Sequence, residues 1–157
     1  MIIKGLIDED FVNYKKPCMT IEFPYCSFKC DKECGQPVCQ NSALANAKNI
    51  DISINEIVDR YTKNDITNAI VYQGLEPIDS WEELFELTDA LRKQTDDDIV
   101  IYTGYVKCEI RDKIEELKKY KNIIIKYGRY VPNEKTHYDK VLGVDLASRN
   151  QFAEKIS

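Results

Sequence analysis

The chain has 157 residues, a formal charge of −5 and 43% apolar residues, enough for one domain spanning residues 1–157 with a core of its own. Lysines scattered among more numerous carboxylates exclude the basic stripe of a nucleic-acid surface. No apolar run approaches bilayer-spanning length, and residues 1–11 are broken by acids where a signal peptide needs a continuous apolar stretch, so a soluble, cytoplasmic protein with no membrane partner is expected.

In chain order, residues 19–23 alternate apolar and polar side chains and read as a short strand ended by Pro24. A cysteine-rich loop leaves its C-terminal end. Ser53, followed by Glu56, is a capping-box start to a helix that buries Ile54, Ile57, Val58 and Tyr61. Residues 67–72 are apolar enough for a buried strand, stopping at Gln73-Gly74-Leu75-Glu76-Pro77. Ser80 and Glu83 open a second helix with the stripe Trp81, Leu84, Phe85, Thr88 and Leu91. Past the acidic turn at 96–98, residues 99–102 form a third strand running into Thr103-Gly104-Tyr105. Ile110, Ile114, Leu117 and Tyr120 mark a third helix, and residues 123–125 a fourth strand entering a loop at 127–130. Residues 141–144 read as a last short strand, with Asn150 and Gln151 in a loop beyond it. The alternation predicts an α/β fold with a parallel sheet. In such sheets the loops leaving the strands' C-terminal ends open on one face, so the cysteine loop, residues 74–77 and Thr103-Gly104 should surround one pocket.

Four of the six cysteines, Cys26, Cys30, Cys34 and Cys39, are separated by three, three and four residues. Without a secretory context, such a thiol cluster reads as a metal site. A structural zinc site would use all four, although zinc loops favour close Cys-x₂-Cys pairs that are missing here. A [4Fe–4S] cubane on three thiolates would instead leave one iron open to the amino and carboxylate groups of a small molecule. The neighbouring residues favour Cys26, Cys30 and Cys39, with Cys34 as the alternative third ligand. Val38 gives Cys39 an apolar wall, whereas Glu33 sets a carboxylate beside Cys34 and an already negative cluster. The Gly74-Leu75-Glu76-Pro77 turn offers carbonyls and a carboxylate to an ammonium group. Cys18 and Cys108 have no cysteine near them in sequence and are left out of the site. The only histidine, His137, lies in a polar stretch and is expected at the surface. Lys29, Lys32 and Lys126 read as solvated charges, the first two placed to offset the charge of a cluster.

A cysteine loop after the first strand and Gly74-Leu75-Glu76-Pro77 after the second resemble the radical S-adenosylmethionine superfamily. The closer likeness is to the small activating proteins of anaerobic ribonucleotide reductases. Tyr102-Thr103-Gly104-Tyr105 is similar to their third-strand motif, Cys39-Gln40-Asn41 to their Cys-aromatic-Asn, and Ser148 with Asn150-Gln151 to their C-terminal segment. The order of motifs holds from about residue 20 to residue 151. Two departures stand out: Gly74-Leu75 replaces a double glycine, and the family's cysteine spacing of three and then two is absent. The resemblance implies a partial (β/α) barrel carrying a [4Fe–4S] cluster and S-adenosylmethionine, with Val38, Gly74, Leu75, Glu76, Pro77, Thr103 and Gly104 around the cofactor and no catalytic residue beyond the cluster ligands. It implies reductive cleavage of S-adenosylmethionine to methionine and a 5′-deoxyadenosyl radical. The implied partners are a glycyl-radical enzyme, namely an anaerobic ribonucleotide reductase, and an electron donor such as flavodoxin or ferredoxin. The alternatives are modification of another peptide or a small molecule, and a non-enzymatic zinc-binding interaction domain.

Overall fold

In the computed structural model, which describes residues 1–157, strands and helices alternate through most of the chain. Strands β1 (Ile2–Ile3), β2 (Gly5–Asp10) and β3 (Cys18–Phe23) precede the cysteine segment, which holds α1 (Lys29–Cys34) and is followed by α2 (Ser42–Ala45). Then come β4 (Ile50–Asp51), α3 (Ile54–Thr62), β5 (Ala69–Gly74), α4 (Trp81–Arg92), β6 (Asp98–Tyr102), α5 (Arg111–Leu117) and β7 (Ile123–Tyr127). Three short strands, β8 (His137–Asp139), β9 (Val144–Leu146) and β10 (Phe152–Lys155), end the chain.

One open sheet of six strands runs in the order β10-β7-β6-β5-β3-β2. Its inner pairs, β3 with β5, β5 with β6 and β6 with β7, are parallel as expected. The edges β2 and β10 are antiparallel. Strands buried on both faces carry near-continuous apolar runs, and alternation sorts each run into two layers. Ile21, Tyr72, Ile101 and Ile125 pack under Ile57 of α3, Leu84 and Leu87 of α4 and Ile114 of α5. Cys18, Val71, Val100 and Ile124 face Tyr14, Leu142 and Leu146 on the other side.

The structure corrects the sequence reading at the ends of the chain. Strand β2 was not expected, because Gly-Leu-Ile-Asp-Glu-Asp carries three acids; as an edge strand it tolerates charge, and charge there discourages pairing with another chain. Residues 141–144 are not one strand. The Asp139 carboxylate accepts the amides of Val141 and Leu142, both at 2.9 Å, and the Asp139 carbonyl accepts that of Gly143 at 2.7 Å. This capture makes a turn that drops Leu142 into the core and starts β9 at Val144.

Helix starts are also instructive. Ser53 accepts the Glu56 amide at 3.1 Å, as its spacing predicts. Ser80 makes no such cap. A short 3₁₀ turn, Pro77–Ser80, comes first, with Glu76 accepting the Ile78 amide, and α4 begins at Trp81. Its buried stripe is Leu84, Leu87, Thr88 and Leu91, while Trp81 and Phe85 lie half-exposed beside it, and Tyr120 falls beyond the end of α5.

Candidate metal and cofactor site

The C-terminal ends of β3, β5, β6 and β7 open on one cavity of about 250 Å³. Its wall includes Cys26, Cys30, Cys39 and Asn41 from the cysteine segment, Gly74, Leu75 and Glu76 after β5, Thr103 and Gly104 after β6, and Lys126 and Gly128 at the end of β7. Cys34, Val38 and Pro77 do not line it. Cys34 is the last residue of α1, Val38 is tied down through its amide, and Pro77 is buried in the 3₁₀ turn.

The way the chain presents its thiols follows from local backbone chemistry. Phe28 in the left-handed region (φ 51°) turns the chain into α1, and Gly35 (φ 67°) turns it out again. Asp31 then accepts the amides of both Val38 and Cys39 at 2.8 Å through one oxygen, folding the connecting residues back along α1. Asn41 donates to the Gly74 carbonyl at 2.7 Å and fastens the exit of the loop to the end of β5. Cys39 thereby reaches the cavity that Cys26 and Cys30 line.

The donor set fits an iron–sulfur cluster. All three thiols are half-buried, and the Phe28 amide points at the Cys26 sulfur from 3.2 Å, the type of contact that tunes cluster sulfurs. No three Cys, His, Asp or Glu side chains are close enough together to grip a single ion. A cubane takes each thiolate on a separate iron, and three thiols lining one cavity can supply those ligands. Burial pushes the Cys26 thiol up to about 11. Burial also raises Cys30, opposed by the Tyr130 amide and the Arg129 charge. Metal loading therefore has to displace protons from both.

Glu76, 5% exposed, shares the cavity wall with the thiols. One carboxylate oxygen accepts the Thr103 hydroxyl at 2.7 Å and the Ile78 amide at 3.1 Å, and the other accepts the Gly104 amide at 2.8 Å. Burial lifts its pKa to about 7, while the Gly104, Thr103 and Ile78 bonds pull the other way. Thr103 and Gly104 thus act by fixing this carboxylate. The turn before it is strapped to the cysteine loop, since the Leu75 amide donates to Phe23 at 3.2 Å and that of Glu76 to Tyr25 at 2.8 Å. Gly74 cannot be replaced there: its φ is 97°, and a Cβ would stand 2.7 Å from the Phe23 nitrogen.

Sequence reasoning missed Lys126. It is no solvated charge but 7% exposed, its ammonium donating to the Gly128 carbonyl at 3.1 Å. Burial lowers its pKa to about 8, with Glu76 and Cys30 resisting the fall. The signal was present, because a lysine closing a run of three isoleucines in a central strand shares a face with Ile124 and cannot reach bulk water. The C-terminal segment completes the wall. Gln151 accepts the amides of Ala147 and Ser148 at 3.0 and 3.2 Å and donates to Gly128 at 3.3 Å, and Asn150 donates to the Arg129 carbonyl at 2.7 Å. Cys18 is buried in the core and Cys108 exposed, neither at the cavity. His137 is not free at the surface; it lies half-buried in β8 with its Nδ1 shielded from solvent.

Residues 18–151 match the family described as a 4Fe-4S single cluster domain. The chain belongs to this family. It is an iron–sulfur protein whose matched region begins with β3 and ends at Gln151, and so takes in the whole cavity wall. No curated protein and no solved structure matches the chain. No helix of this iron–sulfur protein is long and apolar enough to cross a membrane.

Proposed function

We propose that this iron–sulfur protein is a radical S-adenosylmethionine enzyme with its cluster on Cys26, Cys30 and Cys39. The observation that carries the reading is the pairing of three thiols with Glu76 and Lys126 in the wall of a single cavity. An amino acid offers an ammonium and a carboxylate, and the wall offers a buried carboxylate and a buried ammonium in return. Its family is also one found in radical S-adenosylmethionine-type proteins.

A [4Fe–4S] cluster held by Cys26, Cys30 and Cys39 would supply the electron for splitting S-adenosylmethionine into methionine and a 5′-deoxyadenosyl radical. The chain's own residues do the holding. Glu76, locked by Thr103 and Gly104, receives the cofactor's amino group, and Lys126 faces its carboxylate. Leu75, which lines the cavity where the resembled family has glycine, adds apolar surface that excludes water from the reacting bond. On this reading the open sheet is part of a (β/α) barrel, and the protein works in the reducing cytoplasm, where its thiols stay available. The radical would abstract a hydrogen atom from a glycine of an anaerobic ribonucleotide reductase, releasing 5′-deoxyadenosine, with flavodoxin or ferredoxin as the source of electrons.

The test is anaerobic reconstitution with iron and sulfide, then reduction with dithionite in the presence of S-adenosylmethionine. A brown protein that forms equal amounts of methionine and 5′-deoxyadenosine is expected. Cys39→Ala should lose both colour and cleavage, and Cys34→Ala should keep them; the reverse pattern would move the third ligand to Cys34. A colourless protein holding one zinc would end the reading altogether. Mixing the active protein with an anaerobic ribonucleotide reductase should yield a glycine-centred doublet by electron paramagnetic resonance. Cleavage without that doublet would point to another peptide or a small molecule as substrate.

A further inference from the structure

Arg129 follows β7 yet is not in the wall of the large cavity. It lies behind the cysteines, with its side chain 9% exposed. Its Nη2 donates to Glu109 at 2.6 Å, and its Nε stands 3.0 Å from Glu33 on α1. The Nε approach is off the hydrogen-bonding line, so the Glu33 contact is an ion pair. A small second cavity of about 20 Å³ is walled by Cys26, Cys30, Glu76, Gly104, Tyr105 and Arg129. Gly104 separates the arginine from a thiol: a Cβ on it would lie 3.7 Å from both the Arg129 Cγ and the Cys30 sulfur.

The surrounding contacts make a belt around the back of the cysteine loop. Glu109 also pairs with Lys29 at 3.4 Å, and the Lys29 ammonium sits 4.2 Å from the centre of the Tyr105 ring. Tyr105 donates to Asp79 at 2.6 Å, and Asp79 accepts the Ser27 amide at 2.8 Å. Ser27 and Lys29, which flank Cys26 and Cys30, and Glu33 on α1 are in this way fastened to the residues that follow β5, β6 and β7. A buried guanidinium is weakly hydrated and here holds Glu109 by a directed hydrogen bond while pairing by charge with Glu33, which suits it to such a junction better than a lysine.

We propose that Arg129 is a positioning residue for the iron–sulfur centre, docking the cysteine helix from behind and, as a buried cation beside Cys30, making the cluster easier to reduce. The proposal rests on the cluster being held by Cys26, Cys30 and Cys39, and not on any cleavage of S-adenosylmethionine. Reduction adds one negative charge to the cluster. A fixed positive charge behind one ligand favours that state, and net local charge is among the levers that set cluster potentials. Removing the arginine would also leave Glu33 and Glu109 uncompensated, and both act in the opposite direction.

The experiment is a dye-mediated redox titration of the reconstituted full-length protein, followed by absorption and electron paramagnetic resonance, after iron and sulfide have been counted. Arg129→Gln should lower the ratio of reduced to oxidised cluster at a fixed poise by roughly tenfold, about 59 mV for one electron. Arg129→Lys should stay near wild type in potential, since it keeps the charge, but should shed iron faster to a chelator. Glu109→Gln, which removes an opposing charge and leaves Arg129 in place, should shift the potential upward. A wild-type potential in an Arg129→Gln protein with full iron would overturn the proposal. If Arg129→Gln holds no cluster, Glu109→Gln decides, and an unmoved potential there overturns it equally. Failure of the wild type itself to take up iron would remove the ligand assignment, a different result from iron uptake with unmoved potentials.

Discussion

Asp31 offers the sharpest test of how the cysteine segment is built. One of its oxygens accepts both the Val38 and the Cys39 amide at 2.8 Å, and no other side chain bonds to the amides between Gly35 and Cys39. Hydrogen bonds to an ionised acceptor are worth about 1.5–3 kcal/mol each where buried. The loop is half-exposed, so about 2 kcal/mol for the pair is a fair figure, or roughly 30-fold in an equilibrium constant. That agrees with the 10–100-fold loss of metal affinity typical when a group orienting a ligand is removed. Asp31→Ala should therefore still bind a cluster but release its iron to a chelator roughly 30-fold faster, with Asp31→Asn between it and wild type because the amide oxygen still accepts. Iron release followed by the colour of the chelate complex measures this, with Lys32→Ala on the same helix as control. If Asp31→Ala released iron no faster than wild type, Cys39 would not be the ligand that Asp31 positions.

Other outcomes follow from the same geometry. Gly74→Ala combines a left-handed backbone, costing about 1–2 kcal/mol, with a Cβ 2.7 Å from the Phe23 nitrogen, so urea unfolding should show a loss above about 3 kcal/mol; a neutral result would refute the close strand approach. If the cavity takes S-adenosylmethionine as proposed, Lys126→Met should weaken its binding by equilibrium dialysis roughly tenfold while leaving the unfolding midpoint unchanged or higher, because a buried amine is replaced by an apolar chain. Glu76 gives the metal-free protein a distinctive pH dependence. With its pKa raised to about 7, the folded chain keeps a proton that the unfolded chain loses, so stability falls as pH climbs from about 4.5 to about 7, by on the order of 3 kcal/mol, and then levels. Carboxylates held low, such as Glu109 at about 2, act in the opposite sense and only below this window. Urea titrations should find the slope in wild type and not in Glu76→Gln; an equal slope in both would show that Glu76 is already ionised at pH 5.

Much of the site was legible because the chemistry demanded particular residues at particular turns. Gly74 is where two strand ends come too close for a side chain, and Glu76 is the carboxylate that follows at once, so both announce themselves in sequence. Part of the preference for Cys39 over Cys34 rests on Val38 as an apolar wall, beside Glu33 and the Cys39-Gln40-Asn41 likeness, yet Val38 does not reach the cavity. What brings Cys39 there is Asp31, eight residues earlier, whose carboxylate accepts hydrogen bonds from the Val38 and Cys39 amides that no spacing rule encodes. Lys29 reads in sequence as a solvated charge placed to offset a cluster, and its side chain is 41% exposed; that it is also one link of a belt is not legible there, because the belt's other members come from the ends of three different strands.

The sequence alone determined the parallel centre of the sheet, since short apolar runs such as residues 69–72, 99–102 and 123–125, separated by amphipathic helices, have few other ways to be buried. It also determined the turn chemistry of Gly74 and Glu76 and the cap at Ser53, all of which depend on neighbours within a few residues. Only the tertiary structure decided the antiparallel edges, which groups surround Lys126 and the placement of Arg129. Those depend on which element lies across a sheet face or beyond a strand end. The groups that face a buried lysine and the carboxylates that pair with an arginine are such long-range neighbours, which local pattern does not specify.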